Sequence, residues 1–271
     1  METQRIVKIT ALIIGAIVLS SAASAETIRI GGTGMVLGLL QALKGPFERY
    51  SPQDQLIVVP GLGSGAGIAA LADSALSASA SARPLKKKES AKNLILHPFI
   101  ETPFVFISNT RSNLAFSSPE LVGIFSGEKT YLGEGLRARI ILRPTGDSVT
   151  TILEREIPDM KKALKTARAI QGIPVAQTDQ DNMKLAQKMA GSITAMTMTQ
   201  FKTEPNSLHM IKVDGFDAKQ AIAGTGSYPY YMTAWIVTHK NISSEVQRFL
   251  DFLDTPEAAV VYQSSGALRA D

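Results

Sequence analysis

Short β-rich runs alternate with stretches of helical spacing along most of the chain, a pattern that predicts an α/β architecture. Residues 27–31 (TIRIG) read as a strand running into Gly31, Gly32, Thr33 and Gly34. Val36, Leu39, Leu40, Leu43 and Phe47 then recur at helical spacing. Pro46 is expected to kink or end that helix near its last turn. Residues 55–60 (QLIVVP) form a second expected strand, entering a glycine-rich turn at 61–67, with a helix over IAALADSAL behind it. Residues 76–82 alternate small side chains and predict a third strand. Arg83, Pro84 and Leu85 stop it before a lysine-rich helix.

Further on, residues 104–109 (FVFISN) are strongly β. Ser118, Pro119 and Glu120 mark a helix start: a hydroxyl cap, a proline at the first position and an acid in the first turn. Residues 137–143 (RARIILR) predict another strand, ending in residues 144–148 and a helix from near Val149. Residues 181–189 and 217–222 read as helices, and residues 230–238 as a late strand. Ser243 or Ser244 caps a helix through Leu253, and Thr255, Pro256 and Glu257 start the last one. No internal repeat, low-complexity tract or long linker interrupts the series.

The first 25 residues stand outside this pattern. Arg5 and Lys8 precede a short apolar core at 10–20, and Ala23, Ser24 and Ala25 form a small-x-small cleavage site. This predicts a signal peptide over residues 1–25, a mature chain from Glu26, and a periplasmic protein. The alternative, an N-terminal membrane anchor, meets an apolar run too short to span a bilayer comfortably. Nothing else approaches the roughly 20 apolar residues of a spanning helix, so no stable membrane insertion is expected. What remains suits one large domain or two lobes of roughly 120 residues each.

Composition narrows the classes. There is no cysteine, which removes disulfides, thiolate chemistry and a lipid on a leading Cys. The formal net charge is +4, and loss of Arg5, Lys8 and Glu2 with the leader lowers it by one. That is too little to argue for nucleic acid, and Lys86, Lys87 and Lys88 read as a solvated helix start.

Three places share one design: strand, glycine or hydroxyl turn, helix start. They are residues 31–35, 61–67 and 143–148. A helix's first turn leaves backbone N–H groups unpaired and carries partial positive charge. Glycine lets the backbone approach a ligand. Thr33, Ser64 and Ser148 can add donors, and the planar Arg143 fork matches a tetrahedral oxyanion. Converging, the three would cage a small anion. Taken singly, each is as well explained by a tight connection or a cap.

Catalysis is poorly supplied. His97, His209 and His239 form no metal-binding pair, and no Gly-x-Ser-x-Gly elbow occurs. Gly61, Gly63 and Ala66 loosely fit a dinucleotide pattern, but no acidic residue lies at 79–82 where the next strand should end. No Gly-Lys-Ser/Thr follows a glycine loop. The expectation is no enzyme, no catalytic residue, no metal and no cofactor.

Over nearly all of residues 26–271, the chain resembles the phosphate-binding solute receptors of ABC importers. The segments are IGGTGMVLGLLQAL (30–43), VVPGLGSGAGIAAL (58–71), SARPLKKKE (81–89), ELVGIFSGEKTYL (120–132) and LRPTGDSVT (142–150). The likeness is closer to a branch with Ala/Ser-Arg-Pro-Leu and Thr-Asp-Gln-Asp, here residues 178–181, than to the family's best-known member. The resemblance implies a two-lobed type II periplasmic binding protein fold, with mixed sheets flanked by helices and a ligand cleft between lobes. Residues 26–104 plus 231–271 would form lobe one, and residues 105–230 lobe two. Thr33, Gly34, Met35, Ser64, Gly65 and Arg83 would bind from lobe one; Arg143, Asp147 and Ser148 from lobe two. The partners implied are a small oxyanion, phosphate above all, and an importer permease in the membrane, with the receptor acting as a monomer.

Two departures stand out. The family's usual ligand carboxylate after Ser81, thought to accept the proton of hydrogen phosphate, is Ala82 here. Arg83 follows it and either faces the site or points to solvent. Residues 145–149 (TGDSV) replace Asp-Gly-Ser-Gly-Thr, so that Asp147 either pairs with Arg143, the preferred reading, or accepts a ligand proton. Three hypotheses follow: a transport receptor; a periplasmic sensor or scaffold with a degraded anion site; and a phosphoester hydrolase, for which neither metal cluster nor activated nucleophile is found.

Overall fold

The run ETIRIGG forms strand β1 (Glu26–Gly32), with Ile28 and Ile30 fully buried while Thr27 and Arg29 face solvent. In this computed structural model, residues 26–110, 113–133, 135–222 and 228–270 are described. The expected leader, residues 1–25, lies outside them.

A 3-10 turn (Gly34–Val36) leads straight into helix α1 (Leu37–Tyr50). Pro46 does not end α1; the helix runs one further turn to Tyr50. Proline removes one N–H, but Leu43 and Phe47 on either side are fully buried, and the Phe47 ring meets Phe249 edge-on at 5.3 Å. Tertiary packing overrides the local break. Strand β2 (Asp54–Val59) follows, then α2 (Gly63–Ala72). The glycine-rich segment is therefore not a loop ahead of the helix. Gly63, Ser64 and Gly65 are its first turn, where sequence spacing placed the start near Ile68. Strand β3 (Ala78–Ser81) and the short α3 (Lys87–Ser90) precede the long β4 (Leu94–Ser108).

Next come β5 (Ala115–Phe116) and α4 (Ser118–Ser126). The cap of α4 is Ser117, one residue earlier than expected, with Glu120 closing a reciprocal capping pair. The strand expected at 137–143 shrinks to β6 (Arg139–Ile140), although Leu142 still bridges Val175. Helices α5 (Ser148–Glu156), α6 (Met160–Ala169) and α7 (Asp179–Lys188) follow, then β7 (Ser192–Thr197), α8 (Met198–Thr203), β8 (His209–Val213) and α9 (Ala218–Ile222). The chain closes with β9 (Tyr231–His239), α10 (Ser244–Leu253), α11 (Pro256–Ser264) and β10 (Leu268–Arg269).

Among the described residues, seven strands follow one path, β2-β1-β3-β9-β4-β7-β6, while β10 and β8 pair with β4 off this path and β5 pairs with β8. Strand β1 is parallel to β2 and β3, as β-α-β connections require. Strand β9 runs antiparallel between β3 and β4. The partnership changes inside β4: Leu94 to Pro103 pair with β9, whereas Phe104 to Ile107 pair with β7 and Phe106 to Ser108 with β8. One continuous strand thus belongs to two sheets. The helix starts at residues 34, 63, 148 and 179 all open onto the space between them.

Candidate functional site

That space is a cleft of about 240 Å3. Its walls are the ends of strands and the starts of helices. Thr33 and Gly34 follow β1; Gly61 through Gly65 open α2; Arg83 and Lys86 follow β3; Arg143 and Gly146 through Ser148 open α5; Gln177 through Gln180 open α7. Eight of the nine residues expected to bind line it together: Thr33, Gly34, Ser64, Gly65, Arg83, Arg143, Asp147 and Ser148.

Met35 does not. Its side chain is buried in the core, and its carbonyl accepts a hydrogen bond from Thr197 Oγ1 at 3.2 Å. The first residues of the 3-10 turn rotate its side chain away from the cleft and into the sheet–helix interface.

Backbone geometry brings the first wall close. Gly61 and Gly63 hold φ of 80° and 75°, a region costly for other residues. These two turns let the chain leave β2 and re-aim into α2. Ser64 Oγ accepts the Ala82 N–H at 3.0 Å, tying the start of α2 to the end of β3. Its own hydroxyl hydrogen remains for another acceptor.

Arg83 lies on the cleft wall, and its fork is already engaged. Nη1 and Nη2 each donate to Glu89 at 2.8 Å. The Arg83 guanidinium, with the Lys86 N–H, pulls the Glu89 carboxyl down to about 2.

Arg143, 5% exposed, sits at the base. Nε and Nη2 donate to Asp147 at 3.3 and 2.9 Å, Nη1 to the Ala176 carbonyl at 3.0 Å, and Nη2 to Asp179 at 3.2 Å. The preferred pairing of Arg143 with Asp147 is present. Asp147 takes the Nε–Nη2 edge of the fork. Asp147 also caps α5 by accepting the Val149 N–H at 3.0 Å, which fixes its rotamer.

Asp179 was not singled out from the sequence. Residues 178–181 read only as a segment shared with a family branch and as the approach to a helix. Thr178 is the cap of α7, accepting the Asp181 N–H at 3.0 Å, and this directs Asp179 into the cleft. Burial pushes its carboxyl up to about 6. Arg143 and the Gly34 N–H oppose that rise, while Asp147 and Glu204 add to it. The Thr-Asp pair at a helix start was the one legible signal. Gln180 Nε2 extends the junction by donating to Gly34 O at 3.3 Å and Glu204 at 2.8 Å.

Hydroxyls, helix-start amides, three cations and two carboxylates therefore surround the cleft. Such a surface binds and orients a small polar anion. His97 bonds Thr238 at 2.9 Å and His239 bonds the Leu71 carbonyl at 2.8 Å, both away from the cleft. Among the described residues, no group of three or more His, Cys, Asp and Glu is placed to hold a metal.

Comparison with known proteins agrees with this architecture. The model of the PBP superfamily domain matches residues 19–257. No curated protein sequence matches the chain. Among solved structures, a putative phosphate ABC transporter substrate-binding protein from Clostridium perfringens, with bound phosphate, is similar at 17% identity and TM-score 0.77. The match covers 91% of this chain and 100% of that one. An ABC-type phosphate transport receptor from Vibrio cholerae is similar at 17% identity and TM-score 0.60, covering 89% and 99%. Reduced OxyR from N. meningitidis, at 12% identity and TM-score 0.59, covers 90% and 99%. At these identities the structural likenesses establish the fold. With the family match spanning most of its length, the chain belongs to the PBP superfamily.

Proposed function

We propose that the protein captures a small oxyanion, phosphate foremost, in this cleft and hands it unchanged to an importer in the membrane. The observation that carries the reading is the convergence of four helix starts, with the hydroxyls of Thr33, Ser64 and Ser148 and the Arg143 guanidinium, on one small space. Neutral N–H and O–H donors hold an anion without the reorganisation cost of mobile lysines. Two solved relatives of the same fold are phosphate transport receptors by description, one of them with phosphate bound.

In this reading, residues 26–104 plus 231–271 form one lobe and residues 105–230 the other. Strands β4 and β9 connect them, and the anion lies between. Closure about these two strands creates the surface the importer recognises. Residues 1–25 direct the chain to the periplasm, where it works as a monomer.

Calorimetric titration with phosphate, sulfate, molybdate and a phosphonate tests the reading. Saturable binding of phosphate with a raised melting temperature supports it. A stable, cooperatively melting protein that binds none of the four defeats it and leaves a scaffold.

A further inference from the structure

The cleft is already shut at one end. The turn after β1 lies against the start of α7, so that a Cβ added to Gly34 would fall 2.8 Å from that of Asp179. Gln180 Nε2 crosses the same seam to the Gly34 carbonyl at 3.3 Å. At the other end the walls stand apart. A Cβ on Gly61, Gly63 or Gly146 would meet nothing within 4 Å, although all three residues line the cleft. Gly61 and Gly63 lie at the start of α2 and Gly146 just ahead of α5, so the gap has an edge on either wall.

About 240 Å3 therefore remains with the seam in contact. A tetrahedral oxyanion has five heavy atoms. Even at a water's share of about 30 Å3 for each, it fills about 150 Å3. The rest is room for a substituent of a few atoms.

The side chains at the open end say what kind of substituent. Arg83 is engaged by Glu89, and Arg143 by Asp147, Asp179 and the Ala176 carbonyl. Lys86 lines the cleft, is exposed, and forms no ion pair among the described residues. Glu89 accepts the Lys86 backbone N–H, while both its oxygens accept from Arg83. An unpaired ammonium beside an unfilled gap favours a second negative group there over an apolar one.

We infer that the cleft is built for an extended oxyanion: a phosphoryl or phosphonyl head among the helix-start donors, joined through one or two atoms to a second anionic group that reaches Lys86. Inorganic pyrophosphate and a carboxylated phosphonate have this form. The inference rests on the oxyanion reading above and deepens it by naming the ligand class.

The experiment is calorimetric titration of the full chain at pH 8, without divalent cations, with phosphate, methyl phosphate, phosphonoacetate and pyrophosphate. Methyl phosphate, which tests room alone, should bind within about threefold of phosphate. Pyrophosphate and phosphonoacetate should bind at least about fivefold tighter than phosphate. Lys86→Gln should cut the pyrophosphate-to-phosphate affinity ratio about three- to fivefold, the range of an exposed ion pair. Lys87→Gln, one residue on and outside the cleft lining, should leave that ratio as it is. The inference is overturned if phosphate binds while the three larger anions bind more weakly or not at all, since the cleft would then fit the bare anion only. It is also overturned if Lys86→Gln and Lys87→Gln lower the ratio equally, because general surface charge would account for the gain. A stable wild type that binds none of the four anions overturns the oxyanion reading itself, whereas tight phosphate binding with exclusion of the larger anions sinks the extended-ligand assignment alone.

Discussion

Gly34 and Asp179 meet so closely that a Cβ built on the glycine would lie 2.8 Å from the Asp179 Cβ and closer still to its carboxylate. The turn after β1 and the start of α7 thus press together with only a hydrogen atom between them. Gly34→Ala would wedge this junction open. Overpacking of this kind costs about 1–3 kcal/mol, so phosphate affinity should fall by about five- to 150-fold. Titration calorimetry checks it; unchanged affinity would show that the junction is not part of the binding state.

Arg143 is paired with the buried Asp179 carboxylate and the half-buried Asp147 carboxylate and donates to the Ala176 carbonyl. Arg143→Met should lower unfolding free energy by about 3–5 kcal/mol, because it strands those carboxylates. Adding Asp147→Asn should recover part of the loss, as coupled partners do. Urea unfolding of both variants measures it, and simple additivity would contradict the shared network.

Ser64 should matter to the ligand more than to the fold. Ser64→Ala removes a hydroxyl donor from the cleft and leaves the Ala82 N–H without its partner at 3.0 Å. The expected cost in phosphate binding is about 1–2 kcal/mol, with a small drop in melting temperature. A variant that melts much lower yet binds as before would reverse this ordering.

Acid should release the pairing that ties β2 to α10. Arg248 donates to both Asp54 oxygens at 2.7 and 2.8 Å and, with Ser51, holds the Asp54 carboxyl below its ordinary 3.8. A depressed carboxyl stabilises the fold fully above the unfolded value and loses that contribution as pH falls through the lower folded one. The melting-temperature gap between wild type and Asp54→Asn should therefore hold constant from pH 8 to 5 and shrink below 3.8. A gap that persists at pH 2.5 would mark the interaction as packing rather than charge.

How much of this was legible in the sequence depends on how locally each feature is decided. β1 announces itself because one face is buried, so Ile28 and Ile30 alternate with exposed neighbours. β7 gives no such signal, since all six of its residues are buried and no alternation survives. α8, with six residues, is too short for a helical period to show. The pairing of Arg143 with Asp147 spans one short turn, and the residue types suggest it. The approach of Asp179 to Gly34 is a matter of tertiary docking, set by how α7 packs on β7, and no spacing rule encodes it. Met35 failed for the opposite reason. Its neighbours do line the cleft, but the tight turn at Gly34–Val36 sends its side chain inward.

Strand β9 fills the slot between β3 and β4, yet it is made long after both. Until residues 231–239 leave the ribosome, those two strands hold unsatisfied edges and cannot seal against each other. The amino-terminal half is therefore committed to wait for the carboxyl-terminal one. The central sheet of such a chain closes only once most of its length has been made.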